Sequence, residues 1–179
     1  MQAREALAEA EREALTRRLE THLDALLGRL SPRVLGFCWP FRAEPDLRRF
    51  VAGWLAADAA RRAALPVVLD RERPLEFRRW VPGMTLVPDL HGIPHPPDGE
   101  VLVPEVVLVP LNAFDAGGFR LGYGGGYFDR TLATLDACAV GVGFELGRAE
   151  TVWPQPHDRP MAWLVTEAGA FPAQPRNSL

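Results

Sequence analysis

A chain of 179 residues, 47% hydrophobic and 24% charged, has enough apolar mass for one well-filled domain. Its net charge of -3 gives no electrostatic case for a nucleic-acid or membrane partner. All 20 of its Lys+Arg residues are arginine, which excludes the lysine of a Walker-type nucleotide loop.

Cys38 and Cys138 lie in apolar surroundings without metal-ligand spacing, and they read as reduced thiols of a cytoplasmic protein. The first 30 residues are charged throughout and lack the apolar core of a signal peptide. No apolar run approaches the length of a membrane span.

Residues 3–30 place Leu7, Leu15, Leu19, Leu23, Leu26, Leu27 and Leu30 at helical spacing, and Ser31-Pro32 stops the pattern. A short apolar run at 34–39 predicts a strand. Pro40 follows it, and the nearby Glu44 reads either as a pocket carboxylate or as a charge favoured by the next helix dipole. Residues 46–64 repeat the helical pattern through Leu47, Phe50, Val51, Trp54 and Leu55. Strands are predicted at 64–69 and 75–80, the latter with one wet face.

Residues 82–100 carry five prolines and three glycines, so an irregular surface excursion is expected there. His91 and His95 within it form no metal pair on a regular element. Residues 101–111 are the most strand-like of the chain, and the continuous Val106-Val107-Leu108-Val109 suits a parallel strand buried on both faces. A turn at 112–118 leads into a glycine-rich block and then a helix at 127–135. Strands follow at 137–144 and 161–166, separated by a loop holding Trp153, His157 and Asp158, and the tail from Phe171 has the composition of a frayed end. Alternating strands and helices predict a single α/β domain with one open, mainly parallel sheet and helices on both faces.

The block at 120–130, RLGYGGGYFDR, gives that sheet its candidate site. Gly122, Gly124, Gly125 and Gly126 each cost roughly 0.5–1 kcal/mol in a regular element, so the run implies a special turn or a close backbone–ligand approach. Strand, glycine loop, helix start is the order that aims main-chain N–H groups at phosphate. Arg120 can add a forked positive charge, Asp129 and Asp158 can hold Mg²⁺ beside phosphate, and Tyr123, Tyr127 and Trp39 can cover a flat heterocycle. Each has a structural alternative: Arg120 pairing with Asp115 or Asp129, Asp129 serving its helix, the tyrosines filling core.

Asn112-Ala113-Phe114-Asp115 with the block at 120–130 resembles the signature of the 5-formyltetrahydrofolate cyclo-ligase family, also called methenyltetrahydrofolate synthetases. The likeness extends to Trp39-Pro40 with Glu44, Ala64-Leu65-Pro66, Gly92-Ile93-Pro94 and Gln155-Pro156-His157-Asp158. The resemblance implies a fold like the NagB/RpiA/CoA-transferase group. It also implies ATP-dependent conversion of 5-formyltetrahydrofolate to 5,10-methenyltetrahydrofolate with Mg²⁺, releasing ADP and phosphate. A non-catalytic folate- or nucleotide-binding relative is the alternative.

By position, the resemblance implies that Arg120, Leu121, Gly122, Tyr123, Gly124, Gly125, Gly126, Tyr127 and Phe128 meet ATP. Trp39, Glu44, Tyr123 and Tyr127 would meet the folate, and Asp129 and Asp158 the metal. No side chain is assigned as a catalytic acid or base. The family's usual Lys-x-x-Leu-Arg helix start has no counterpart within residues 1–20. The expectation is a single domain over 1–179 without that basic segment; a monomer is expected, though nothing in the residues fixes the oligomeric state.

Overall fold

The computed structural model describes residues 2–174. In chain order the strands are β1 (Val34–Gly36), β2 (Arg62–Val67), β3 (Glu76–Trp80), β4 (Val87–Pro88), β5 (Pro94–His95), β6 (Val106–Pro110), β7 (Ala113–Phe114), β8 (Arg120–Leu121), β9 (Cys138–Val142), β10 (Trp163–Thr166) and β11 (Gly169–Pro172). The helices are α1 (Gln2–Glu5), α2 (Glu9–Leu30), α3 (Arg48–Ala56) and α4 (Tyr127–Leu132), with a 3₁₀ turn at Glu145–Gly147.

The central sheet runs β11-β10-β9-β6-β1-β2-β3. Pairings among β10, β9, β6, β1 and β2 are parallel, whereas β3 and β11 join the two edges antiparallel. The expected α/β class and mainly parallel sheet are therefore present, but alternation fails at both edges. The 2.0-residue side-chain period explains why the interior was readable. Val106 and Leu108 face one core with Leu35, Leu65, Val140 and Val165, while Val107 and Val109 face another with Ala64, Ala139 and Leu164.

Helices α2 and α3 cover the first face. Leu19, Leu23, Leu26 and Leu27 of α2 are all buried there, at i, i+4, i+7 and i+8. Burying each leucine is worth about 1.5–3 kcal/mol. Ser31 ends α2 in a left-handed conformation, its N–H donating to the Leu27 carbonyl. Phe128 and Leu132 from α4 pack on the opposite face beside the buried Phe114.

Three differences from the sequence expectations have local causes. The helix expected over 3–30 is split at residues 6–8, because Arg4 is drawn into the body of the protein while α2 lies along the sheet. The strand expected over 101–111 is confined to β6, although Val101 still bridges Arg78; Pro104 lacks an N–H for the ladder. Of the tail read as frayed from Phe171, Phe171 and Pro172 instead belong to β11, whose hydrogen bonds to β10 supply order that composition does not signal, and residues 175–179 lie outside the described residues. The excursion at 82–100 folds back as the β4–β5 ribbon, its turn held by Asp89 Oδ1 accepting from the N–H groups of His91 and Ile93. Among the described residues no helix is long and apolar enough to cross a membrane.

Candidate active site

The chain leaves the carboxyl ends of β1 and β6 at neighbouring positions in the parallel sheet, and ligands of such sheets bind at that edge. After β1 it turns sharply: Arg42 and Ala43 both have positive φ, 48° and 60°. The left-handed region costs a residue with a Cβ roughly 1–2 kcal/mol, so this bend is held by its contacts. Glu44 supplies one of them, its Oε2 accepting from the Phe41 N–H at 3.0 Å while its own N–H donates to the Phe41 carbonyl.

Glu44 is buried, with 8% of its surface exposed, and it is not in a helix first turn, since α3 begins at Arg48. Its Oε1 accepts the Tyr123 hydroxyl at 2.8 Å, and the Arg4 guanidinium lies 3.9 Å away. Burial raises the carboxyl above its ordinary 4.5, while Tyr123, the Phe41 amide and Arg4 draw it back. The phenol of Tyr123 is pushed up to about 12, first by burial and then by the Glu44 charge, so it stays a proton donor in neutral solution. The Phe41 ring meets Tyr123 edge-on at 5.4 Å.

Tyr123 sits in the glycine loop that joins β8 to α4. Gly124 and Gly126 take φ of 87° and 62°, a conformation that side chains resist. A Cβ added at Gly122 or Gly124 would meet nothing within 4 Å, so those two glycines leave open space beside the main chain. Gly125 differs, because a Cβ there would lie 2.6 Å from the Tyr127 ring. Tyr127 folds back on the loop, with the Arg130 guanidinium 5.1 Å from its centroid, and Arg130 Nη2 also donates to the Gly125 carbonyl.

At the other end of the loop, Arg120 Nη1 donates to Asp129 Oδ1 at 3.2 Å and to the Arg159 carbonyl at 3.1 Å. Asp129 Oδ1 also accepts the Arg159 N–H at 3.0 Å, and Arg159 directly follows Asp158. Asp158 in turn uses Oδ2 to accept the Gln155 N–H. The two predicted metal carboxylates thus stand on segments tied together by one amide. Among the described residues no group of three or more metal-ligating side chains forms.

The predicted site residues therefore fall into two knots around the glycine loop: Glu44 with Tyr123, and Arg120 with Asp129 and the segment of Asp158. Trp39 keeps its place on the β1 loop, but one ring face is taken by the Arg48 guanidinium at 4.5 Å. Arg120 adopts the structural pairing with Asp129 that the sequence left open.

The geometry can be set beside known proteins. A model of the 5-formyltetrahydrofolate cyclo-ligase family matches residues 1–167. This chain belongs to that family. It is 32% identical to a 5-formyltetrahydrofolate cyclo-ligase of Mycolicibacterium smegmatis, over 93% of this chain and 89% of that one. Among solved structures, the 5,10-methenyltetrahydrofolate synthetase of Aquifex aeolicus superposes with a TM-score of 0.82 at 28% identity, covering 99% of this chain and 91% of its own. The synthetase of Mycoplasma pneumoniae shares the fold, with a TM-score of 0.71 at 22% identity over 93% of each chain.

Two residues of the crevice escaped the sequence reading. Asn112 stands in the signature without a role there, and its Oδ1 accepts from Arg4 Nη1 at 3.0 Å. Arg4 lies in a segment so rich in charge that one more arginine carried no signal. Only the fold reveals that it is 3% exposed and joins the Arg42 carbonyl, Asn112 and Tyr123.

Proposed function

We propose that this cyclo-ligase-family chain converts 5-formyltetrahydrofolate to 5,10-methenyltetrahydrofolate, consuming ATP and releasing ADP and phosphate. The observation that supports the residue assignment is the Tyr123–Glu44 hydrogen bond, which joins the glycine loop to Glu44, the residue proposed to meet the folate.

The folate formyl oxygen is a poor leaving group. In the proposed reaction that oxygen attacks the γ-phosphorus, the bond to the β-phosphate oxygen breaks, and ADP departs. The formyl carbon becomes electrophilic, N10 adds to it with loss of its proton, and phosphate leaves with the former formyl oxygen as the ring closes. A transfer of this kind asks mainly for positioning and charge stabilisation. The amides of residues 122–126 would cradle phosphate through the open face at Gly122 and Gly124, with Arg120 beside them. Glu44 and Tyr123 would hold the folate edge, with Trp39 and Tyr127 at its margin.

Mg²⁺ fits the donor set: among the described residues Asp129 accepts hydrogen bonds only through Oδ1, and Asp158 adds a second carboxylate on the adjoining segment. One or two carboxylates with phosphate and water complete such a shell. Bound there, the ion would neutralise phosphate charge during transfer.

The test is incubation of the full chain with MgATP and 5-formyltetrahydrofolate. Methenyltetrahydrofolate absorbance should grow in step with ADP. Folate binding without ADP or methenyl product would leave a binding protein in place of an enzyme.

A further inference from the structure

Arg4 makes more long-range polar contacts than a surface arginine has reason to make. Its Nε and Nη2 both donate to the Arg42 carbonyl, at 3.0 and 2.9 Å. Its Nη1 donates to Asn112 Oδ1 at 3.0 Å and to the Leu111 carbonyl at 3.3 Å. Nη2 further donates to the Tyr123 hydroxyl at 3.1 Å. One planar cation thereby ties together the loop after β1, the loop after β6 and the glycine loop.

We propose that Arg4 is a positioning residue for the folate side of the site, fixing Glu44 and Tyr123 in register before nucleotide arrives; this rests on the folate reading of Glu44 given above. Two features carry it. First, the Arg42 carbonyl is the acceptor of a fork, and it belongs to a bend whose two positive-φ residues need an external hold. A guanidinium fork suits that role, whereas an ammonium offers a point charge without the plane.

Second, a phenol has a single proton to give. With Arg4 donating to the Tyr123 oxygen, that proton is directed to Glu44 Oε1. Arg4 thus acts on Glu44 twice, by its charge at 3.9 Å and through the orientation of Tyr123. Asn112, accepting from Nη1, holds the guanidinium at the angle both contacts need.

The test is calorimetric titration of 5-formyltetrahydrofolate into the full chain without nucleotide, for the wild type, Arg4→Ala, Arg4→Lys, Glu44→Ala and the Arg4→Ala/Glu44→Ala pair. ATP binding and thermal unfolding are measured on the same proteins. The folate Kd should rise about tenfold in Arg4→Ala, the scale of losing hydrogen bonds to a charged group. Arg4→Lys should recover little of it, and the double variant should fall well short of the summed losses, because the two residues act through one contact set.

A folate Kd unchanged in Arg4→Ala, with ATP affinity reduced, would overturn the proposal by placing Arg4 on the phosphate side. Full recovery by Arg4→Lys, or strict additivity with Glu44→Ala, would overturn it as well. Should the alanine variant unfold, Arg4→Lys against Glu44→Ala supplies the same comparison. A wild type that binds no folate at all would overturn this inference together with the functional reading, whereas wild-type binding with an indifferent Arg4 overturns the inference alone.

Discussion

The hydroxyl of Tyr123 donates to Glu44 Oε1 at 2.8 Å, across a separation of 79 residues in the chain. The contact joins the glycine loop to the bend after β1, and with the Phe41 N–H it is, among the described residues, one of two hydrogen bonds to a buried carboxylate that also has the Arg4 guanidinium 3.9 Å away. Tyr123→Phe keeps the ring and its edge contact with Phe41 while deleting that donor. A hydrogen bond to a charged group is worth roughly 1.5–3 kcal/mol, so folate affinity should fall about tenfold or more. Calorimetry on the variant checks this, and an unchanged Kd would detach Tyr123 from the folate side.

The glycine loop invites a steric test, and the choice of glycine decides what it reports. At Gly125 a new side chain would first meet the Tyr127 ring, so lost activity there would confuse protein strain with ligand exclusion. Gly122 has no positive φ and open space at its Cβ position. Gly122→Leu should therefore change stability by only about 0.5 kcal/mol, as at an ordinary surface site. If phosphate approaches the bare main chain, the same variant should raise the KM for ATP by tenfold or more (about 1.4 kcal/mol). Steady-state kinetics with a melting curve separates the two effects; an unchanged KM for ATP would remove the loop from the nucleotide site.

Much of this candidate site was legible because the residues proposed for it cluster locally in sequence. The glycine run, the signature at 112–115 and the Trp39–Glu44 segment each announce themselves within a few residues. The sheet interior was legible for a similar reason, since Val106–Pro110 must be apolar on both faces. Arg4 was not legible, because its partners lie 38, 107 and 119 residues away and only tertiary packing brings them to it. The edge strands β3 and β11 were harder for another reason. Hairpin connections replace the crossover helices there, and no periodicity within a short strand states its direction.

Glu44 also predicts a pH dependence of stability. Its folded-state pKa lies above the ordinary 4.5, with burial the largest cause. A carboxyl shifted upwards contributes stability that is complete below the unfolded value and disappears as pH rises through the folded one. Glu44→Gln removes this titration. The difference in melting temperature, variant minus wild type, should therefore grow more positive as pH climbs from about 4 to about 7. Differential scanning calorimetry across that range reads the sign directly. A constant difference would mean that Glu44 titrates alike in folded and unfolded chains.

Asp129 and Asp158 can be separated by the kind of oxygen each keeps. Asp129→Asn preserves an Oδ1 able to accept from Arg120 and the Arg159 amide, so the local fold should persist. Asp158→Asn likewise keeps an acceptor for the Gln155 N–H. Both changes remove a negative charge, and a hard cation depends on charge more than on the shape of the acceptor. If the two carboxylates serve Mg²⁺, each variant should need about tenfold or more Mg²⁺ for half-maximal turnover, while folate binding without nucleotide stays as in the wild type. Asp129→Asn should show the larger effect, because its Oδ2 has no protein hydrogen bond among the described residues while both Asp158 oxygens have a neighbour. Magnesium titrations at saturating ATP and folate check the order. Equal Mg²⁺ requirements in all three proteins would leave Asp129 as the anchor of Arg120 and nothing more.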